Sequence, residues 1–181
     1  MTESRIARIE LLELVGLQSA QLDNFARRGA LPFDRSERSW TSYTLDHALR
    51  LQLFRALSDS GIDQVSAATA VRAGYEDLIE AAEATSASDG PMLFGMYINR
   101  AESPDEIVYG RHELSVRAGA LGEHLLSLVE RDRQQGDSFV RVIFVSASDA
   151  VDRLLARLPP KLARSSKARR LRQAFLGGEN G

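Results

Sequence analysis

The sequence predicts an α+β protein: a helical N-terminal unit with a small hairpin, then a small α/β layer, then a basic tail. Three observations carry that expectation. Between Ile9 and Val71 apolar residues recur at helical spacing in four blocks, punctuated by Gly16-Leu17, Gly29-Ala-Leu-Pro32 and Ser60-Gly-Ile-Asp63. Residues 92–98 and 138–145 are instead rich in β-branched and aromatic side chains, as strands are. Charge is divided along the chain. Residues 1–72 hold nine basic and nine acidic side chains, residues 73–158 eight against 15, and residues 159–181 six against one. A phosphate backbone attracts the ends of such a chain and repels its middle, so the middle reads as a protein-facing or self-associating part.

With 181 residues and 44% hydrophobic composition the chain can bury a core and form one or two domains. It has no cysteine, which removes disulfides, thiolate catalysis and cysteine-ligated zinc. No apolar run approaches the roughly 20 residues of a membrane helix, and the N-terminus has no signal-peptide core. The expectation is a cytoplasmic protein with no membrane contact and no cofactor.

In the first helix Leu11, Leu14 and Val15 form one buried stripe, and Gly16 suits the left-handed position that ends it. Ser19 is expected to cap the second helix. There Leu22, Phe25 and Ala26 share the inward face, while Gln21, Asn24 and Arg28 share the other with Arg27 at its edge. Gln and Asn pair bidentately with adenine and Arg with guanine, so this set suits base recognition. The same set also describes an ordinary solvated helix face. Leu31-Pro-Phe33 and Trp40-Thr-Ser-Tyr43 read as two short strands around a polar turn, with Arg35 and Arg38 placed to meet phosphate. Trp40 and Tyr43 suit packing of that hairpin onto the helices. Thr44 caps a third helix with Leu45, Ala48, Leu49, Leu53, Ala56 and Leu57 inward. Asp63 caps a fourth, with Val65, Ala68 and Val71 inward. This order is that of a winged helix-turn-helix, which places one helix in a DNA groove.

Ile9-Glu-Leu-Leu-Glu-Leu-Val-Gly-Leu17, residues 22–32 (LDNFARRGALP), Ser39-Trp-Thr-Ser-Tyr-Thr44 and Ser60-Gly-Ile-Asp63 resemble the DNA-binding domain of the MerR family. The resemblance covers just over a third of the chain. It implies a dimeric transcription regulator whose second helix docks in the major groove of double-stranded DNA while its wing meets the flanking backbone. Ser19, Gln21, Asn24, Arg27, Arg28, Arg35, Arg38 and Tyr43 are then the candidate DNA contacts. Related domains occur in phage excisionases and small terminase subunits. The chain departs from the family pattern in two places: Asp23-Asn24 stands where an Arg-Tyr pair is common, and Thr41-Ser42-Tyr43 where the wing commonly ends in Arg-Arg-Tyr. Asp23 would repel phosphate. Residues 76–84 read as too short for the family's long dimerisation helix, and residues 85–91 as a linker.

The domain plan is therefore a winged helix-turn-helix over 1–73, a short helix and linker over 74–90, and an α/β effector or oligomerisation domain over 91–158. A basic, partly disordered tail over 159–181 completes it. Strands are expected at 92–98, where Gly95 would bend the chain, at 106–109 and at 138–145, the last central in its sheet. Helices are expected at 118–131 and 150–158. In the tail Lys161, Arg164, Lys167, Arg169, Arg170 and Arg172 are candidate phosphate contacts on either a basic helix or a solvated coil.

No catalytic or metal site is expected. His112-Glu113 and Glu123-His124 match no ligand spacing. Gly119-Ala-Leu-Gly122 lacks the Lys-Ser/Thr of a phosphate loop, and Ser146-Ala-Ser148-Asp149 reads as a helix cap. The expected function is a DNA-binding regulator acting as a homodimer, its acidic half available to a ligand or protein partner. The alternatives are a phage-type architectural or packaging DNA-binder, or an adaptor whose helix-turn-helix contacts protein.

Overall fold

The computed structural model describes residues 5–34, 42–102 and 107–178. Eight helices and one antiparallel sheet are found among them: α1 Arg8–Val15, α2 Ser19–Arg27, α3 Leu45–Asp59, α4 Gln64–Ala84, β1 Met92–Glu102, β2 Ile107–Arg117, α5 Leu121–Gln135, β3 Ser138–Ser146, α6 Ala147–Ala156, α7 Pro160–Ala163 and α8 Ser166–Leu176. The fold is α+β, as expected.

Most sequence signals of the N-terminal helices hold, although Val65, expected to point inward on α4, is 53% exposed. Leu11, Leu14 and Val15 are the buried residues of α1, and Gly16 ends it at φ +63°. Leu17 folds back over that end, its N–H donating to the Leu12 carbonyl at 2.9 Å. Thr44 accepts from the His47 N–H at the start of α3, and Asp63 from the Ser66 N–H at the start of α4. The α2 side chain Phe25 meets Phe54 of α3 edge-on at 4.9 Å between ring centroids, tying the second helix to the longest apolar stripe of the unit.

Several expectations are corrected. Ser19 does not cap α2; the cap position is Gln18, whose N–H donates to Gln21 Oε1 at 2.8 Å. Leu31-Pro-Phe33 does not form a strand. Proline lacks the ladder N–H, the segment bends with all three residues buried, and Tyr43 pairs with Ile6 in an isolated antiparallel bridge. The helix expected to be short at 76–84 is the second half of the 21-residue α4, which runs unbroken across residue 73. Ala67, Ala68, Ala70 and Gly74 let α3 and the sheet approach it closely: a Cβ on Gly74 would stand 2.8 Å from that of Glu113 and 2.9 Å from the Phe94 ring. Lastly β3 lies at an edge, since the strand order is β2-β1-β3. The second half of its apolar run reports packing on two faces rather than a place between strands, while Phe139 and Val140 are exposed. Ile143 and Val145 turn toward the main core, and Val142 and Phe144 toward α5.

Gly95 does not bend β1. It sits opposite Leu114 and Phe144 in continuous pairing, where an added Cβ would meet the Ile143 carbonyl oxygen at 2.1 Å. Glycine here permits the close approach of β3.

The C-terminal segment is folded. Ser165 caps α8 by accepting from the Ala168 N–H, and Ala168, Leu171 and Phe175 form a buried stripe at i, i+3 and i+7. With Leu162 of α7 they enter the same core cluster as Leu11, Phe54, Tyr75, Phe94 and Leu154. One continuous core thus runs across the boundaries drawn from sequence. The apolar residues interleaved among six cations are what order this tail. A second, smaller cluster of Tyr97, Leu114 and Leu128 lies between the sheet and α5.

Candidate nucleic-acid interface

Leu22 and Phe25 anchor α2 to the core, which turns the opposite side of the helix to solvent. Gln21, Arg27 and Arg28 are exposed and Asn24 is half-buried. Arg28 is the C-terminal cap residue rather than part of the helix body, its N–H donating to the Asn24 carbonyl at 3.1 Å. Asn24, Arg27 and Arg28 make no side-chain hydrogen bond or ion pair with another described residue, so their donors are available to a ligand. Gln21 is committed differently: its Oε1 accepts from the Gln18 N–H, leaving its amide N–H2 to face outward.

Sequence reasoning missed Arg8. From α1 its Nη2 donates to Ser19 Oγ at 2.9 Å, to the Ser19 carbonyl at 3.3 Å and to Asp23 Oδ1 at 2.7 Å. Two consequences follow for α2. Ser19 is a tether between the first two helices, and the Asp23 carboxylate is neutralised within the protein rather than left to repel phosphate. Asp23 in an otherwise acid-free helix was the available signal, but its partner lies 15 residues away and on another helix.

The end of α1 is held just as firmly. Gln52 and Arg157 donate to the Leu14 carbonyl, and Arg55 to the carbonyls of Val15 and Gly16. These donors, two of them cationic, satisfy carbonyls that the helix leaves unpaired. The turn into α2 is thereby stitched to both α3 and α6.

Arg35 and Arg38 fall outside the described residues, as does Trp40. Tyr43 is described and is a packing side chain. Its buried ring stands 6.3 Å from Phe33 and 6.0 Å from His47 between centroids, and its backbone pairs with Ile6. His47 therefore packs against both Phe33 and Tyr43. Its Nδ1 accepts from the Thr44 N–H at 3.0 Å, the place a Glu or Gln takes in a capping box. Burial lowers the His47 pKa, partly opposed by Asp46 and reinforced by Arg50. A depressed folded-state pKa means the unfolded chain takes the proton first. Stability from this site is complete above the ordinary histidine pKa of about 6.5 and is lost as pH falls through the lower folded value. The melting temperature is expected to drop between pH 7 and pH 5, and His47→Gln, which keeps an acceptor that does not titrate, to flatten that dependence. An unchanged pH profile in the variant would refute the assignment.

The tail cations do not join α2. Lys167 Nζ lies 2.8 Å from Asp46 Oδ1, and Arg170 pairs through two nitrogens with Glu83, so both are occupied within the chain. The Asp46 carboxylate also accepts from the Tyr75 hydroxyl, and Arg50 lies 3.9 Å over the Tyr75 ring. Lys161, Arg164, Arg169 and Arg172 are exposed.

The histidine–glutamate pairs do not converge. His112 and Glu113 are successive residues of β2 and turn to opposite faces of the sheet, Glu113 toward Gly74 of α4. Ser146 caps α6, accepting from the Asp149 N–H at 3.1 Å. Ser148, two residues on, is buried and relays a bond from the Met92 N–H to the Phe175 carbonyl, both at 2.9 Å. Among the described residues no cluster of three or more His, Asp or Glu side chains suits a metal ion. No helix among them is long and apolar enough to cross a membrane.

A short helix packed by one face, tethered to a preceding helix and offering unpaired Asn and Arg donors on the other, has the architecture of a helix-turn-helix unit. The comparison with known families agrees. Residues 9–70 match the family described as MerR HTH family regulatory protein, so the N-terminal third of the chain is similar to the helix-turn-helix domain of that family. No curated protein matches the chain.

Proposed function

We propose that this protein is a transcription regulator that binds double-stranded DNA as a homodimer, with α2 in the major groove and the segment between Asp34 and Ser42 against the flanking backbone. The observation that carries this is the outward set Asn24, Arg27 and Arg28, unpartnered among the described residues, on a helix inside a MerR-type domain. Asn24 and Arg28 are the side chains for base edges, and Arg27 for phosphate. Ser19 supports them through Arg8 rather than touching DNA. The sheet, α5 and α6 form the half that meets a ligand or protein partner.

Binding of duplex DNA at several salt concentrations tests this. A base-reading Arg28 predicts that Arg28→Ala costs about 1–3 kcal/mol at the preferred sequence and narrows the gap to random duplex. Arg27→Ala should instead weaken all duplexes alike and reduce the salt dependence by about one counterion. No DNA retention by the wild type at low salt, where phosphate attraction is strongest, would transfer the domain to protein recognition.

A further inference from the structure

Four of the six large hydrophobic side chains exposed among the described residues lie on α5 and at the start of β3, the strand that follows it. Leu126 and Val129 on α5 are 72% and 40% exposed, and Phe139 and Val140 at the start of β3 are 45% and 42% exposed. The Phe139 ring stands 5.6 Å from that of Tyr97, whose hydroxyl donates to Asp132 of α5, which places Phe139 beside the C-terminal end of the helix. Leu125 and Leu128 already cover the sheet. Leu126 and Val129 therefore serve no contact within the chain that the inward face does not make. Exposed apolar side chains gathered in this way mark an association surface.

The spacing says what kind of surface. Gly122, Leu126, Val129 and Arg133 follow one another at intervals of four, three and four residues. That is the seam of a two-helix coiled contact, which repeats every 3.5 residues. At Gly122 an added Cβ would meet nothing within 4 Å, so a neighbouring helix can come close there.

We propose that this face joins two copies of the chain, α5 against α5 and antiparallel about a two-fold axis. The stripe is its own complement in that arrangement. With the axis between Leu126 and Val129, Leu126 meets Val129 of the partner subunit and Gly122 makes room for Arg133 of the partner subunit. Glu123 then lies beside that same guanidinium. Glu123 and Arg133 are both exposed, and neither has an ion pair with a described residue. A parallel pair would set Glu123 against Glu123 and Arg133 against Arg133, so these charges select the antiparallel form. The inference rests on the homodimer proposed above and locates its interface away from α2.

Sedimentation of the full chain without DNA tests it. The wild type should be a dimer over a range of micromolar concentrations. Leu126→Glu with Val129→Glu should raise the dissociation constant by at least about 100-fold while leaving the thermal melt of the subunit cooperative. Glu123→Arg or Arg133→Glu alone should weaken the dimer about threefold to tenfold, and the two together should restore it. A dimer untouched by the paired glutamates overturns this interface alone. A wild type that stays monomeric overturns both the interface and the homodimer. Failure of the double charge reversal to rescue overturns the antiparallel arrangement. DNA binding, measured separately, bears on α2 and not on α5.

Discussion

Arg117→Met is expected to destabilise the protein by about 3–5 kcal/mol, a large part of the 5–15 kcal/mol typical of a folded domain. Arg117 ends β2 and is only 2% exposed. Its Nε donates to Thr85 Oγ1 at 3.0 Å, its Nη1 to the Gly90 carbonyl at 3.3 Å, and its Nη2 to the carbonyls of Ala82 at 3.1 Å and Ala174. Ala82 lies in the last turn of α4 and Ala174 in the last turn of α8, so one guanidinium satisfies the open ends of two helices. Both ends carry partial negative charge, and this is what makes a buried cation tolerable here. Burial lowers the Arg117 pKa and Asp89 opposes that shift. Methionine fills the volume but supplies no donor, leaving carbonyls buried and unpaired. Lysine restores the charge without the planar fork that spans both helices, so Arg117→Lys should recover less than half of the loss. Urea unfolding followed by circular dichroism measures both. A loss below about 1 kcal/mol for Arg117→Met would show that water replaces the guanidinium.

The same residue shows where sequence reasoning reaches its limit. The turns of the N-terminal unit are written locally: Gly16 ends α1, Thr44 and Asp63 cap α3 and α4, and every partner lies within five residues. Arg117 bonds to residues 27 to 57 positions away, and Arg8 to one 15 away. No periodicity encodes such partners. In β2 the alternation was present but unread: His112, Leu114 and Val116 face one way, while Arg111, Glu113, Ser115 and Arg117 face the other. The second set is polar yet packs toward α4, so the charged residues disguised a strand of 11 residues as four. Of the candidate interface, the outward face of α2 was legible from helical spacing. The Arg8 tether that neutralises Asp23 was not, and neither was the burial of Tyr43.

Removal of residues 159–181 tests the tail most severely, and the expected result is loss of the fold rather than loss of a basic arm. The deletion takes Leu162, Leu171 and Phe175 out of the core, each 8% exposed or less. Buried side chains of this size contribute about 1.5–3 kcal/mol apiece, which together rivals the whole stability of a domain. It also strips Arg117 of the Ala174 carbonyl and Ser148 of the Phe175 carbonyl, and frees Asp46 and Glu83 from Lys167 and Arg170. The 1–158 chain should therefore lose its cooperative thermal transition and enlarge in gel filtration, and its failure to bind DNA would say nothing about phosphate contacts. Separating the two roles requires surface substitutions that leave the stripe intact: Arg164→Ala, Arg169→Ala and Arg172→Ala alter exposed cations, while Ala168, Leu171 and Phe175 remain buried. If the truncated chain melts cooperatively within a few degrees of the full chain, α8 is an accessory to the core rather than part of it.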